Sequence, residues 1–286
     1  KDPEKHKILS VITSLCNNNQ ILMSPVYYSE GRILCSNDEF LFNLITGLLQ
    51  WKKKQSETKQ IVILSLTNYN LEEGINNPYY FFEKQIKPGK ILNGVLNQYI
   101  QENLRDKKVK FLYKNINTEE IQKNINENEI TIVQLGSVPP DVYDYIYSLS
   151  TLPCVFEGEG SASLILNIGK PYFHLVSSDD REGQTTNKLY PPVPANAPNN
   201  PSGDQCHNDS LALVNSFEEW EKILESTDGK KTPDQIIEEF INNAYEKGKK
   251  YQKYFAYIKN FYNNEVNDKL LGALFSLPFL IDYSED

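Results

Sequence analysis

Between residues 60 and 176 the chain alternates short apolar runs with segments whose apolar residues recur at helical spacing. The first run, residues 61–66 (IVILSL), is unbroken and rich in β-branched side chains. A strand with one face in water alternates polar and apolar residues. An unbroken apolar run is a strand buried on both faces, as in parallel sheets covered by helices. Residues 109–113, 130–135 (ITIVQL), 154–156 and 172–176 repeat the strand pattern. Residues 91–100, 118–124, 140–149 and 161–168 between them fit helices. This alternation implies an α/β fold with right-handed crossovers. The architecture expected is a Rossmann-like, doubly wound parallel sheet. Counting from residues 61–66, its strand order would be 3-2-1 followed by 4-5.

The flanks are less regular. Residues 21–28 fit a strand, and residues 37–39 fit the cap of a helix carrying Phe40, Leu41, Leu44, Ile45, Leu48, Leu49 and Trp51 on its apolar stripe. Residues 52–59 then read as a charged linker. Residues 177–209, rich in Pro, Asn, Asp, Gly and Ser, break the rhythm. So long a loop is either a functional lid or a disordered segment. Residues 211–224 and 233–263 fit helices, and 270–281 a last buried one. Tyr245, Tyr251, Tyr254, Phe255, Tyr257, Ile258 and Phe261 crowd the second half of the 233–263 segment. They suit either core packing or a sugar- or partner-contacting surface. The expected division is an N-terminal segment at 1–58, as part of an acceptor-side domain, a Rossmann-like domain at 59–230, and C-terminal helices at 231–286 packing back on the body.

Composition removes several function classes. The net charge of −9 disfavours a nucleic-acid partner. No apolar run has the length of a membrane span. The four cysteines form no C-x-x-C pair, and the three histidines are far apart, so no metal site is expected. No signal-peptide pattern is visible, and localisation stays open. Because the chain opens on Lys1, it is expected to be a processed or excised piece.

The chemistry concentrates in one turn. Phe156-Glu157-Gly158-Glu159-Gly160-Ser161 falls where a strand hands over to a helix. Helix N-termini attract anions, and glycine lets a ligand approach the main chain. A phosphate or nucleotide diphosphate suits such a turn; a tight turn with no ligand is the simpler alternative. In a doubly wound sheet, ligands bind beyond the strands' carboxyl ends where the order reverses. That places Asn68, after residues 61–66, opposite Gly158, Glu159, Gly160 and Ser161. Gly136-Ser137-Val138-Pro139, after the 130–135 strand, would lie beside them.

These segments, followed by Gly169-Lys170-Pro171, resemble the C-terminal, nucleotide-sugar-binding domain of GT-B glycosyltransferases over roughly residues 60–224. The resemblance implies that Gly136 and Val138 meet the base and that the Gly158–Ser161 turn meets the donor diphosphate. Asp204-Gln205-Cys206-His207-Asn208 is similar to the family's D-Q-x-x-N motif, implying that Asp204 and Gln205 hold the donor sugar's hydroxyls. The implied activity is sugar transfer from a UDP- or GDP-sugar to an acceptor, a protein or a glycan, with no obligatory metal or other cofactor. This chain departs from the family pattern at Phe156, where the plant-type signature has a phosphate-contacting His. It departs again at Leu164, where that signature has a ribose-binding Glu. No catalytic base is assigned. Two alternatives follow: a GT-B-like sugar-nucleotide epimerase, or a catalytically degenerate binding or adaptor module with a protein partner on the Tyr-rich helix.

Overall fold

The computed structural model describes residues 3–27, 37–67, 109–112, 116–156, 159–174, 190, 203–218 and 220–262. Within them, helix α1 (Pro3–Asn17) leads into strand β1 (Ile21–Val26), helix α2 (Asn37–Gln55) and strand β2 (Gln60–Ser65). Strand β3 (Val109–Leu112), helix α3 (Thr118–Glu127) and strand β4 (Ile130–Gln134) follow. Then come α4 (Pro140–Ser148), β5 (Cys154–Phe156), α5 (Glu159–Ile168) and β6 (Tyr172–His174). Four helices close the described chain: α6 (Gly203–Glu218), α7 (Trp220–Glu225), α8 (Pro233–Tyr245) and α9 (Lys250–Tyr262).

The six strands form one sheet, all parallel, in the order β3-β4-β2-β1-β5-β6. The α/β, Rossmann-like class stands, and the strand order needs two corrections. First, β1 lies between β2 and β5. All six of its residues are buried, as a central strand requires. Second, β4 pairs directly with β2, and β3 takes the edge. Burial explains the exchange: β4 opens with four buried residues, whereas Lys110 of β3 is exposed.

The β1–β5 seam is thin. Val26↔Val155 is its single register pair. Pro25 supplies a reason. The backbone groups of Met23 and Tyr27 point toward β5: Met23 O accepts from Leu152 N at 2.9 Å, and Tyr27 N donates to Val155 O at 2.9 Å. Pro25 shares their parity, so its missing N–H falls on that side. Side chains stitch the gap. Met23 N donates to Thr151 Oγ1 at 2.7 Å, and Ser24 Oγ to Pro153 O at 2.7 Å.

Helices α1 and α3 pack together over β1 and β2, and α8 lies along α2. Buried Asp234 of α8 accepts from Gln50 at 2.5 Å and from Thr232 Oγ1. Buried Glu238 pairs with Lys54 at 2.7 Å. One apolar cluster runs from Ile8 to Ile258, across residues 58 and 230. The expected helix over 233–263 is two helices. Glu246 leaves the helical path (φ −71°, ψ 126°), and α9 starts afresh at Lys250. Tyr251, Tyr254, Phe255 and Ile258 turn into the core, which explains the aromatic crowding there as packing. Part of the expected 177–209 loop is helical, since α6 begins at Gly203. The expected helices at 91–100 and 270–281 lie outside the described residues. No helix among the described residues is long and apolar enough to cross a membrane.

Candidate functional site

The sheet's winding reverses between β1 and β5: from β1 the chain steps to β2 on one side, and from β5 to β6 on the other. Ligands of open α/β sheets bind beyond the carboxyl ends of the strands at such a point. A cleft of about 400 Å³ lies there. Tyr27 and Leu66, the residues just past β1 and β2, form one part of its wall. Ser137 and Val138 from the loop after β4 form another, and Ser161 and Leu164 of α5 a third. Helix α4 contributes Pro140, Tyr143 and Asp144.

Two loops that are distant in sequence therefore meet. Two residues beyond β4 stands Gly136, whose φ of +67° suits a residue without Cβ, and whose N–H reaches Ser65 O at 3.3 Å. That turn aims Ser137 and Val138 at the cleft. Pro140 then starts α4, where its missing N–H costs nothing. Across the cleft, Ser161 is the third residue of α5. Tyr143 and Ser161 are joined, hydroxyl to hydroxyl, at 2.8 Å, so the first turns of α4 and α5 are tied together.

Stacked rings set the position of Tyr143. Its ring meets Tyr27 edge-on at 5.8 Å and stacks on Tyr147 at 4.4 Å. Fully buried Tyr147 anchors the stack by donating to Val155 O at 2.9 Å, the same carbonyl that accepts from Tyr27 N. Burial pushes the Tyr143 phenol above its ordinary range, and the Ser161 bond offsets this only partly. The hydroxyl is thus protonated at neutral pH. It serves as a hydrogen-bonding group, not a base. At the rim, the Lys5 ammonium of α1 donates to Ser137 O at 3.0 Å.

The structure brings Val138 and Ser161 into one cleft, with Gly136 shaping the loop beneath them. Glu159 and Gly160 open α5, and only their backbone is described. Asn68 and Gly158 lie outside the described residues. Asp204 and Gln205 sit in the first turn of α6, where Gln205 Nε2 donates to Asp209 Oδ1 at 2.8 Å. Neither lines the cleft. Phe156 is a core residue, with its ring 5.2 Å from Tyr172 and 5.7 Å from His174. Leu164 does face the cleft.

The Gly169-Lys170-Pro171 turn also stands apart from the cleft, and each of its residues has a structural task. Gly169 ends α5 with a φ of +67°, its N–H shared between Ile165 O (2.8 Å) and Leu166 O (3.1 Å). Lys170 Nζ donates to Ser150 O at 2.7 Å, and Pro171 O accepts from Cys154 N at 2.9 Å.

Sequence reasoning missed Tyr27, Tyr143 and Asp144. The signal for the first pair was faint: an aromatic residue just past a strand, and Tyr143 and Tyr147 four apart on one helix. Comparison with protein-family models, with curated proteins and with solved structures finds no match.

Proposed function

We propose that this cleft binds a nucleotide-linked ligand and that the protein transfers a sugar from a nucleotide-sugar donor to an acceptor. The observation that carries the reading is the meeting of the Ser137–Val138 loop with Ser161 at the sheet's reversal. Those two segments carry the resemblance to GT-B nucleotide-sugar domains, and they are far apart in the chain. The chemistry fits in outline. Val138, Leu164 and the Tyr27 ring offer apolar walls to a base. The opening turn of α5 leaves backbone N–H groups without intrahelical acceptors, which suits an anion. The neutral Tyr143–Ser161 pair offers hydroxyls to a phosphate or sugar oxygen.

One observation favours a second reading, a binding module without catalysis. Leu164 faces the cleft with no polar group to offer, and Gln205 is engaged within its own helix. A single experiment separates the two. Thermal unfolding is followed with UDP, GDP, CMP and their sugar conjugates, and turnover or donor hydrolysis is measured on the same samples. A ligand at a hundred times its Kd adds about 2.7 kcal/mol to the folded state. That appears as a rise of several degrees in Tm. We expect such a rise with one nucleotide, lost in Ser137→Trp, which fills the cleft from an exposed position. A rise without turnover selects the binding module. No rise with any nucleotide refutes both readings.

A further inference from the structure

Asp144 is the one charged side chain among the described residues that line the cleft, and it is negative. It is exposed on α4, next in sequence to the Tyr143 that holds Ser161, and no described residue gives it a hydrogen bond or an ion pair. Its carboxylate repels phosphate, and the Lys5 ammonium at the rim is engaged with Ser137 O. The cleft is therefore polarised. The Tyr143–Ser161 pair and the opening turn of α5 offer hydroxyls and helix N–H groups to an anion, while Asp144 offers two acceptor oxygens to hydrogen-bond donors. Two adjacent hydroxyls match a carboxylate best, because each oxygen accepts one bond and both bonds are charge-assisted.

We infer that Asp144 is a specificity-determining residue that accepts hydrogen bonds from a vicinal diol of the bound ligand. The inference rests on the nucleotide reading above and adds to it which part of the ligand is read, and by what. Two parts of a nucleotide sugar carry such a diol, the ribose and the transferred sugar. Because Asp144 is exposed, replacing it leaves the core intact, so binding is measured on a folded protein.

The experiment is titration calorimetry of wild type, Asp144→Ala and Asp144→Asn with UDP, 2′-deoxy-UDP, GDP, 2′-deoxy-GDP, UDP-glucose and UDP-2-deoxyglucose. Hydrogen bonds to a charged group correspond to about tenfold or more in affinity. We expect wild type to prefer one hydroxylated ligand over its deoxy partner by about tenfold or more, and Asp144→Ala to reduce that ratio to about twofold or less. A ratio lost in the UDP or GDP pair assigns Asp144 to the ribose; a ratio lost only in the UDP-glucose pair assigns it to the sugar. A ratio that survives in both variants overturns the inference and leaves the nucleotide reading standing, as does equal binding of every pair by wild type. Absence of binding by every ligand overturns that reading and the inference together.

Discussion

Replacing Gly169 by Ala tests whether the Gly-Lys-Pro turn is there for packing. A Cβ built on Gly169 would stand 2.1 Å from Lys259 Cβ, 2.7 Å from its Cγ and 2.9 Å from its Cα. Lys259 cannot swing aside, because its Cβ and Cα are fixed to the backbone of α9. The backbone adds a second cost, since φ is +67°. Left-handed conformation costs a residue with Cβ about 1–2 kcal/mol. Overpacking adds about 1–3 kcal/mol. Losing glycine's freedom in the unfolded chain returns about 0.4–1 kcal/mol. The expected net loss is about 2–4 kcal/mol, large against a total stability of about 5–15 kcal/mol. Urea unfolding gives the number directly. A double-mutant cycle with Lys259→Gly separates the two costs. The cycle partner itself loses about 1 kcal/mol as a glycine in a helix. Gly169→Ala should then cost about 1 kcal/mol in that background, a coupling of about 1–3 kcal/mol. An equal cost in both backgrounds would refute the packing argument, and a loss under about 0.5 kcal/mol would refute the strain as well.

Two buried hydroxyls should behave differently. Tyr147→Phe removes a bond to Val155 O but leaves that carbonyl its bond from Tyr27 N, so urea unfolding should show a loss of only about 1 kcal/mol. Ser65 Oγ is buried with no hydrogen-bond partner among the described residues, so Ser65→Ala should cost close to nothing; a loss above that of Tyr147→Phe would contradict this bookkeeping. Burial raises the Cys16 thiol to about 11 and the Cys154 thiol to about 12, and pushes Cys206 up as well. A disulfide reagent at pH 8, followed by mass mapping, should leave all three unlabelled until the protein unfolds; labelling of Cys154 at the rate of a free thiol would contradict its burial. The same shifts fix a sign. Unfolded thiols release their protons from their ordinary 9.0 upward while the folded ones hold theirs, so stability falls as pH rises from about 9 toward 12. A Tm that stays flat across that range would contradict the shifts.

The strands from residue 61 onward were legible because each is a short apolar run between helical stripes, and burial on both faces leaves that mark in any sequence. Residues 21–26 were harder. Their run contains Pro25, and proline inside a strand speaks for an edge. Here the strand is central, and the proline is accommodated because its missing donor faces the thin β5 seam. The strand order was not legible for a related reason. Which apolar strand takes the edge depends on a few partly exposed residues such as Lys110 of β3. Pairing between strands far apart in sequence leaves no local signature.

The candidate site divides along the same line. Residues alone singled out the Gly136–Val138 loop and the turn at Ser161 as candidates, because a glycine after a strand and a strand-to-helix turn are local events. They also marked Asp204 and Gln205, which lie on α6 and do not line the cleft. Local chemistry is written in the chain: strand, turn, cap and helix period each depend on neighbours within a few residues. Convergence is not. Tertiary packing alone decided that Tyr27, Tyr143 and Asp144 share one cleft with Val138 and Ser161. Their distances are set by β1 entering the middle of the sheet and by α4 crossing over it to α5.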